Sequence, residues 1–130
     1  MILVDTHVVV WLAFDQDQLS LKARAAIDDT RKNGSGLAIS DITLLELATL
    51  VSKDRIHLDI SLETFLQEVE SRFLVLPMNG RVSARLTELP KTYPTDPVDR
   101  IIGATALVEG LHLVTADRQI HRSKAVRTIW

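Results

Sequence analysis

The sequence contains no cysteine, no long apolar run and no basic leader at its start. The absence of cysteine excludes a disulfide framework and any zinc site built from thiolates. The longest apolar runs, such as residues 8–13, are far shorter than the roughly 18 residues that a membrane-spanning helix requires. The first five residues lack the basic segment of a secretory signal peptide. We therefore expect a cytoplasmic protein with no membrane segment.

The chain also has little net charge and few aromatic residues. Its 15 lysines and arginines against 17 aspartates and glutamates give a formal net charge of −2. Binding of a polyanion would therefore need a local basic patch or a metal ion. Aromatic residues make up 5% of the chain, and Phe14, Phe65, Phe73 and Tyr93 are too scattered to indicate a base-stacking sheet. We do not expect an RNA-recognition sheet.

The pattern of apolar residues predicts an α/β fold in one domain, residues 1–130. Short apolar runs alternate with stretches of helical period, as in strands joined by helical crossovers. The first four runs are almost wholly apolar, which indicates a mainly parallel central sheet buried on both faces, and the fifth alternates like an edge strand. The predicted strands are residues 2–4, 37–39, 73–76, 111–114 and 126–129. The predicted helices are residues 6–14, 20–31, 41–53, 61–71, 80–88 and 97–109.

Capping residues support several of these boundaries. Ser20 can cap the second helix, which Gly34 would end. Asp96 can open the last long helix, with Pro97 at its first position and Gly110 after its last. Residues 89–96 are predicted to form the loop before that helix.

Acidic side chains follow the predicted strands where these end. Asp5 comes directly after the first strand, and Asp117 comes three residues after the fourth. Ser40 and Asp41 follow the second strand and open a helix whose second turn carries Glu46. Because ligands of parallel α/β sheets bind outside the carboxyl ends of the strands, we expect Asp5, Glu46 and Asp117 to lie at one edge.

Two further aspartates lie at the start of the last long helix, Asp96 as its cap and Asp99 in its first turn. Acids at this end of a helix are stabilised by about 0.3–1 kcal/mol, so capping alone can account for Asp96 and is the preferred interpretation there. We assign Asp99 to the acidic site. Asp117 has a capping alternative, for a short helix over residues 117–122, and Glu46 has the alternative of a solvated or ion-paired side chain.

Carboxylates gathered in one pocket repel one another. Two of them ~5 Å apart cost roughly 3 kcal/mol at an effective dielectric of 20, so the cluster persists only if some acids are protonated or a cation is bound. Oxygen ligands without cysteine, in a chain whose four histidines are dispersed, favour Mg²⁺ or Mn²⁺ over zinc. A hard cation held by carboxylates is a common means of hydrolysing phosphodiesters. The residue types therefore indicate phosphoryl chemistry.

In their order along the chain these motifs resemble those of the PIN-domain nucleases, and more closely the VapC-type toxins of bacterial toxin–antitoxin pairs. The segments that carry the resemblance include Leu3-Val4-Asp5-Thr6-His7, Leu45-Glu46-Leu47-Ala48, Lys53-Asp54-Arg55-Ile56, Asp96-Pro97-Val98-Asp99-Arg100 and Leu113-Val114-Thr115-Ala116-Asp117. The resemblance implies a three-layer α/β/α fold and Mg²⁺-dependent cleavage of RNA. It also implies a small antitoxin that blocks the acidic groove, and a homodimer.

The resemblance also implies roles for single residues. Asp5, Glu46 and Asp99 match the three central acids of the family, and Asp117 matches the fourth. We expect Asp5 and Asp99 to coordinate the metal, with Glu46 and Asp117 completing its surroundings. The hydroxyls expected to orient these carboxylates or contact phosphate belong to Thr6, Ser40 and Thr115. Asp96 matches a position that is common in the VapC-type subgroup.

A basic stretch near the end of the chain is a further candidate for binding RNA. It contains Arg118, His121, Arg122, Lys124 and Arg127. These residues could hold the RNA backbone beside the acidic pocket, and an ordinary solvated surface explains them equally well. Arg100 could pair with a carboxylate or a phosphate, or could simply be solvated.

One alternative function stays open, and several others do not fit. The chain could be a non-catalytic module that binds DNA in complex with a small partner protein, since such a module would keep the same acids. A haloacid-dehalogenase-like phosphatase needs an Asp where this chain has His7, and a phosphoacceptor domain needs a lysine soon after Val114. Gly34-Ser35-Gly36 precedes a strand instead of opening a helix, so no nucleotide-binding loop is indicated.

Overall fold

The computed structural model describes residues 1–130, folded as five parallel strands and seven helices. The strands are β1 (Ile2–Val4), β2 (Leu37–Ser40), β3 (Leu74–Leu76), β4 (Leu113–Val114) and β5 (Thr128–Ile129). The helices are α1 (Thr6–Phe14), α2 (Leu21–Asn33), α3 (Asp41–Ser52), α4 (Leu62–Arg72), α5 (Gly80–Leu86), α6 (Pro97–Glu109) and α7 (Arg118–Ser123). The predicted α/β class and central parallel sheet are confirmed.

The strand order in the sheet is β3-β2-β1-β4-β5, which places β1 at the centre. Leu3 is in register with Ala38 of β2 on one side and with Leu113 of β4 on the other. Because all five strands are parallel, their carboxyl ends meet at a single edge of the sheet, which we call the carboxyl edge. The predicted edge position of the fifth strand is confirmed.

The alternation of side chains along β1 divides the core between the two faces of the sheet. Ile2 and Val4 belong to a cluster that joins α1, α2, α3 and α4 to one face. Leu3 belongs to a second cluster, on the other face, with residues of α6, α7 and the segment before α6. Helices on both faces of one sheet make the three-layer α/β/α arrangement that the resemblance implied.

The capping residues end the helices largely where the sequence predicts. The Ser20 side chain accepts a hydrogen bond from Ala23 N, and Gly34 ends α2 in the left-handed conformation at φ 74°. Gly110 ends α6 in the same way, and the Leu111 amide then donates to the Ala106 carbonyl. Residues 111 and 112, predicted as the start of a strand, therefore lie between the end of α6 and β4, which begins at Leu113.

One prediction about burial is wrong. The third strand is apolar and was expected to be covered on both faces, but Leu74 of β3 is 49% exposed. β3 is an edge strand with a single strand neighbour, β2. An edge strand has less of the structure around it to exclude water.

A cavity of about 480 Å³ lies between α1, α4 and residues 57–60. Leu37, at the start of β2, and Phe73, just before β3, are among its lining residues. The cavity is therefore at the edge of the sheet opposite the carboxyl edge, and none of the predicted site acids lines it. None of the seven helices combines the length and hydropathy that crossing a bilayer demands.

Candidate active site

The fold brings the acids toward the carboxyl edge by three local routes. Asp5 directly follows β1 and Asp117 closely follows β4, its neighbour in the sheet. Helix α3 begins immediately after β2 and carries the half-buried Glu46 in its second turn. Asp99 lies in the first turn of α6, where it is half-buried.

Asp5 is the most enclosed of these acids, at 6% exposure. One carboxylate oxygen, Oδ1, accepts a hydrogen bond from the backbone N–H of Thr6 at 2.8 Å. The other, Oδ2, accepts one from the Thr115 hydroxyl at 2.7 Å. Burial raises the pKa of Asp5, and these two hydrogen bonds and the nearby charge of His7 oppose that rise. The two bonds hold the carboxylate in one orientation.

The electrostatic environment of Asp99 shows that the acids share one region. The pKa of Asp99 is raised to about 7, mainly by burial and then by the negative charges of Asp5, Asp96, Asp117 and Glu46. Coulomb interactions fall with distance, so four separate acids act on Asp99 only because they lie near it. Burial, with the charges of Asp99, Asp5 and Asp117, also raises the pKa of the Tyr93 hydroxyl.

Asp96 and Asp117 are helix caps as well as neighbours of Asp99. The Asp96 Oδ1 atom accepts a hydrogen bond from Val98 N at 2.8 Å, at the start of α6. The Asp117 Oδ1 atom accepts one from Ile120 N at 3.0 Å, at the start of α7. Each cap uses one oxygen of the carboxylate, so capping and a contribution to the site are compatible for both residues.

The three hydroxyls named from the sequence have different partners. The Thr115 hydroxyl donates to Asp5 and accepts a hydrogen bond from Asp117 N at 3.1 Å, which joins the two acids through one side chain. The Thr6 hydroxyl shares a hydrogen bond with the Thr43 hydroxyl at 3.0 Å. The Ser40 hydroxyl accepts from Ile42 N and caps α3. In this structure only Thr115 touches a carboxylate through its hydroxyl.

The donor set fits a hard divalent cation by its chemistry. Asp5, Glu46, Asp99 and Asp117 offer oxygen ligands only. Burial and then repulsion by the other acids raise the pKa of Asp99, and a bound cation relieves such repulsion. No three His, Asp or Glu side chains are close enough here to enclose an ion as they stand. The acids are thus close enough to affect one another's charge, but they do not surround a single ion-binding position.

Tyr93 is a residue that sequence reasoning did not connect to the site. It is fully buried, and its hydroxyl donates to the backbone carbonyl of Asp99 at 2.8 Å. Arg100 donates to the carbonyls of Pro94 and Leu89, so it braces the same segment instead of pairing with a carboxylate. The segment was predicted as a loop, and nothing in its local pattern indicates these contacts.

The basic stretch lies beside the acids without neutralising them. Arg118, Arg122 and Lys124 are exposed, on α7 or just after it. Arg127 donates to the Gly110 carbonyl, and His121 Nε2 lies 2.6 Å from the Thr115 carbonyl. The only ion pair in the structure joins Arg85 and Glu88, so every cation of the stretch is free of a carboxylate partner.

The chain is similar to known proteins both in sequence and in structure. A family model described as the PIN domain matches residues 2–125. Over 131 aligned residues the chain is 35% identical to ribonuclease VapC22 of Mycobacterium tuberculosis, with 99% of this chain and 98% of that protein covered.

Solved structures of similar fold include two VapBC proteins bound to DNA. VapBC2 of Rickettsia felis, bound to a DNA fragment from its promoter, superimposes with a TM-score of 0.75 at 22% identity, over 98% of this chain and 97% of that chain. DNA-bound VapBC of Salmonella typhimurium gives 0.68 at 26% identity, over the same shares of both chains. Since the family model spans nearly the whole sequence, the chain belongs to the PIN-domain family.

Proposed function

We propose that this protein is a Mg²⁺-dependent endoribonuclease and the toxin of a toxin–antitoxin pair. The observation that carries the proposal is that, in a PIN-domain fold, Asp5 and Asp117 follow two neighbouring parallel strands and are joined through the Thr115 hydroxyl. The 35% identity to a VapC ribonuclease over nearly the full length supports the same activity. Mn²⁺ would serve in place of Mg²⁺, because both accept carboxylate oxygens.

The residues of the site have distinct tasks in this proposal. Asp5 and Asp99 would hold the divalent cation, and Glu46 and Asp117 would complete its surroundings. When bound, such an ion supplies a Lewis acid for activating water and for neutralising charge on the phosphate. Thr115 keeps Asp5 in a fixed orientation, which preserves the ligand geometry. Tyr93 holds the first turn of α6, and with it the backbone of Asp99.

The proposal includes the partners and the place of action. We place the cleavage of RNA in the cytoplasm. The solved VapBC structures support an antitoxin partner. We propose that this antitoxin is small and covers the acidic groove, and that the toxin is a homodimer. Both of these structures contain DNA, so binding of DNA by a complex with the partner is the second candidate function.

Cleavage of RNA by the isolated protein tests the proposal. The purified chain, free of partner, should cut RNA in Mg²⁺ and should stop cutting when EDTA is added. Asp99→Asn should lower the rate by on the order of 100-fold or more, because Lewis-acid stabilisation of the transition state is worth several kcal/mol. Asp59→Asn is the matched control, since this exposed acid lines the cavity at the opposite edge, and it should cut at the wild-type rate.

Three results would contradict the proposal. Cleavage in the presence of EDTA would show that the reaction does not need a metal ion. An Asp99→Asn variant as active as the wild type would remove that residue from the site. Operator DNA binding only in the presence of a partner, with no RNA cleavage under any condition, would favour the regulatory alternative.

A further inference from the structure

Three aromatic rings from the two ends of the chain meet in one cluster. The Trp11 and Trp130 rings have centroids 5.6 Å apart, and those of His7 and Trp11 are 6.2 Å apart. We call His7, Trp11 and Trp130 the aromatic cluster. These rings are not among the aromatics judged scattered from the sequence, and the two tryptophans are the only ones in the chain.

The aromatic cluster adjoins the acidic site. His7 lies in the first turn of α1, two residues after Asp5, and is near enough for its charge to act on the Asp5 carboxylate. Trp130 directly follows β5, so it too lies at the carboxyl edge. The Ile129 carbonyl just before it accepts a hydrogen bond from Thr115 N at 3.2 Å, and Thr115 holds Asp5.

Packing accounts for only part of this arrangement. Trp11 and Trp130 rest against the core at one face of the sheet and are half-buried, whereas His7 is exposed. The planes of His7 and Trp11 are tilted by 50°, and those of Trp11 and Trp130 by 48°. The rings therefore do not stack face to face on one another. Partly exposed aromatic rings next to a phosphate-cleaving site can take a nucleobase, because every base has an apolar face.

A free positive charge beside the acids favours a nucleic acid over another occupant. Arg118 directly follows Asp117 at the carboxyl edge, is exposed and has no carboxylate partner. Proteins that bind single strands combine cations that contact the backbone with aromatic rings on which bases stack. A base can reach such rings only when it is unpaired and unstacked from its neighbours.

The geometry points to the aromatic cluster as a stacking platform for an unpaired base of the RNA, beside the phosphate that is cleaved. The inference rests on the proposed nuclease function and adds to it a contact with one base next to the cleaved phosphate. Stacking there positions the backbone over the acids, so the cluster contributes to positioning and does not take part in the bond-breaking step.

Tryptophan fluorescence reports on this platform directly, because both tryptophans lie in it. The full chain is mixed in a stopped-flow instrument, with Mg²⁺ present, with a single-stranded oligoadenylate or with an abasic ribose-phosphate oligomer of equal length. The oligoadenylate should quench the emission before cleavage proceeds, and the abasic oligomer should not. Equal quenching by both would place the contact on the backbone and overturn the inference.

Substitutions separate stacking from structural support. Trp130→Leu should weaken oligoadenylate binding by about tenfold or more, the loss expected for one stacked base, while Trp130→Phe should retain most of it. Phe14→Leu is the matched control, because Phe14 is a partly exposed ring at the far end of the same helix and packs on Phe65. It should bind the oligomer as the wild type does.

The outcomes distinguish this inference from the function on which it rests. Wild-type cleavage of RNA without quenching, and with unchanged binding by Trp130→Leu, would overturn the platform and leave the nuclease intact. Quenching and binding without cleavage would support the platform and contradict the nuclease. A Trp130→Leu variant with altered oligomeric state and unaltered affinity for RNA would identify the cluster as a contact between copies and overturn the inference.

Discussion

At the level of single residues, Asp99 is held in an environment that disfavours its own charge. Partial burial is the largest cause, and Asp5 is the first of the acids that add to it. The folded protein therefore keeps a proton on Asp99 up to a pKa of about 7, whereas an unfolded chain loses it near the ordinary value of 3.8. A site of this kind stores electrostatic repulsion that a cation or a proton relieves.

This shift predicts the sign of a pH effect on stability. Between the two pKa values the folded state binds more protons than the unfolded state, so the free energy of unfolding should fall as the pH rises from about 4 to 7. Asp99→Asn removes the titrating group. In metal-free buffer the variant should therefore be more stable than the wild type at pH 8, with the difference shrinking toward pH 5, as measured by urea unfolding.

The control for this prediction is Asp59→Asn, which removes an exposed acid far from the cluster. Its unfolding free energy should follow the wild-type pH dependence. If Asp99→Asn were no more stable than the wild type at pH 8, the burial and repulsion assigned to Asp99 would be wrong.

At the level of elements, α6 packs closely against the segment before it, through a contact between Gly103 and Tyr93. A Cβ on Gly103 would overlap the Tyr93 side chain, lying 2.6 Å from its Cζ atom. The same tyrosine donates to the Asp99 carbonyl one turn earlier in α6. Because Gly103 has no side chain, Tyr93 can pack against α6 there and hold the first turn of that helix.

Gly103→Ala should therefore destabilise the fold, although alanine normally favours a helix. Overpacking a filled site costs about 1–3 kcal/mol, more than the roughly 1 kcal/mol that alanine gains over glycine in a helix. Urea unfolding measures the loss. Cleavage of RNA should fall as well, because the displaced Tyr93 ring would no longer hold the first turn of α6.

Gly80→Ala provides the comparison within the same layer. A Cβ on Gly80, at the start of α5, meets no atom within 4 Å, so this change should leave stability unchanged or slightly raise it. Equal effects of the two substitutions would show that the Tyr93 contact does not determine the packing of α6.

At the level of the whole molecule, the parallel topology gathers like charges at one edge and leaves them without counter-ions. No ion pair in the structure involves Asp5, Glu46, Asp99 or Asp117. The folded state should therefore bind divalent cations that the unfolded chain does not, and binding to the folded state alone raises stability.

Addition of Mg²⁺ or Mn²⁺ should accordingly raise the melting temperature of the wild type. At a concentration 100 times the Kd the gain is about 2.7 kcal/mol, and Asp99→Asn should gain much less. Differential scanning calorimetry with and without EDTA measures both. Without metal, Asp99→Asn should thus be more stable than the wild type, and its stability should rise less when metal is added. An equal rise in the stability of both proteins would show that the cation binds elsewhere.

Much of the fold followed from local pattern, because helix caps and apolar periodicity act over a few residues. Helix α2 begins after Ser20 and ends at Gly34, and α6 ends at Gly110, as predicted. The position of acids after parallel strands follows from topology alone. The burial of the third strand was misjudged, because the apolar character of a strand does not reveal whether it lies at the edge.

By itself the sequence determined the class of fold, the capped helix ends and the acids that follow the strands, since each depends on neighbours close along the chain. Only the tertiary structure decided the bond from Thr115 to Asp5, the place of Tyr93 under Asp99 and the meeting of Trp11 with Trp130. The first and last of these contacts join residues from opposite ends of the chain, and that of Tyr93 depends on how a loop packs against α6. Such contacts arise from the order of strands and the packing of layers, which no local pattern specifies.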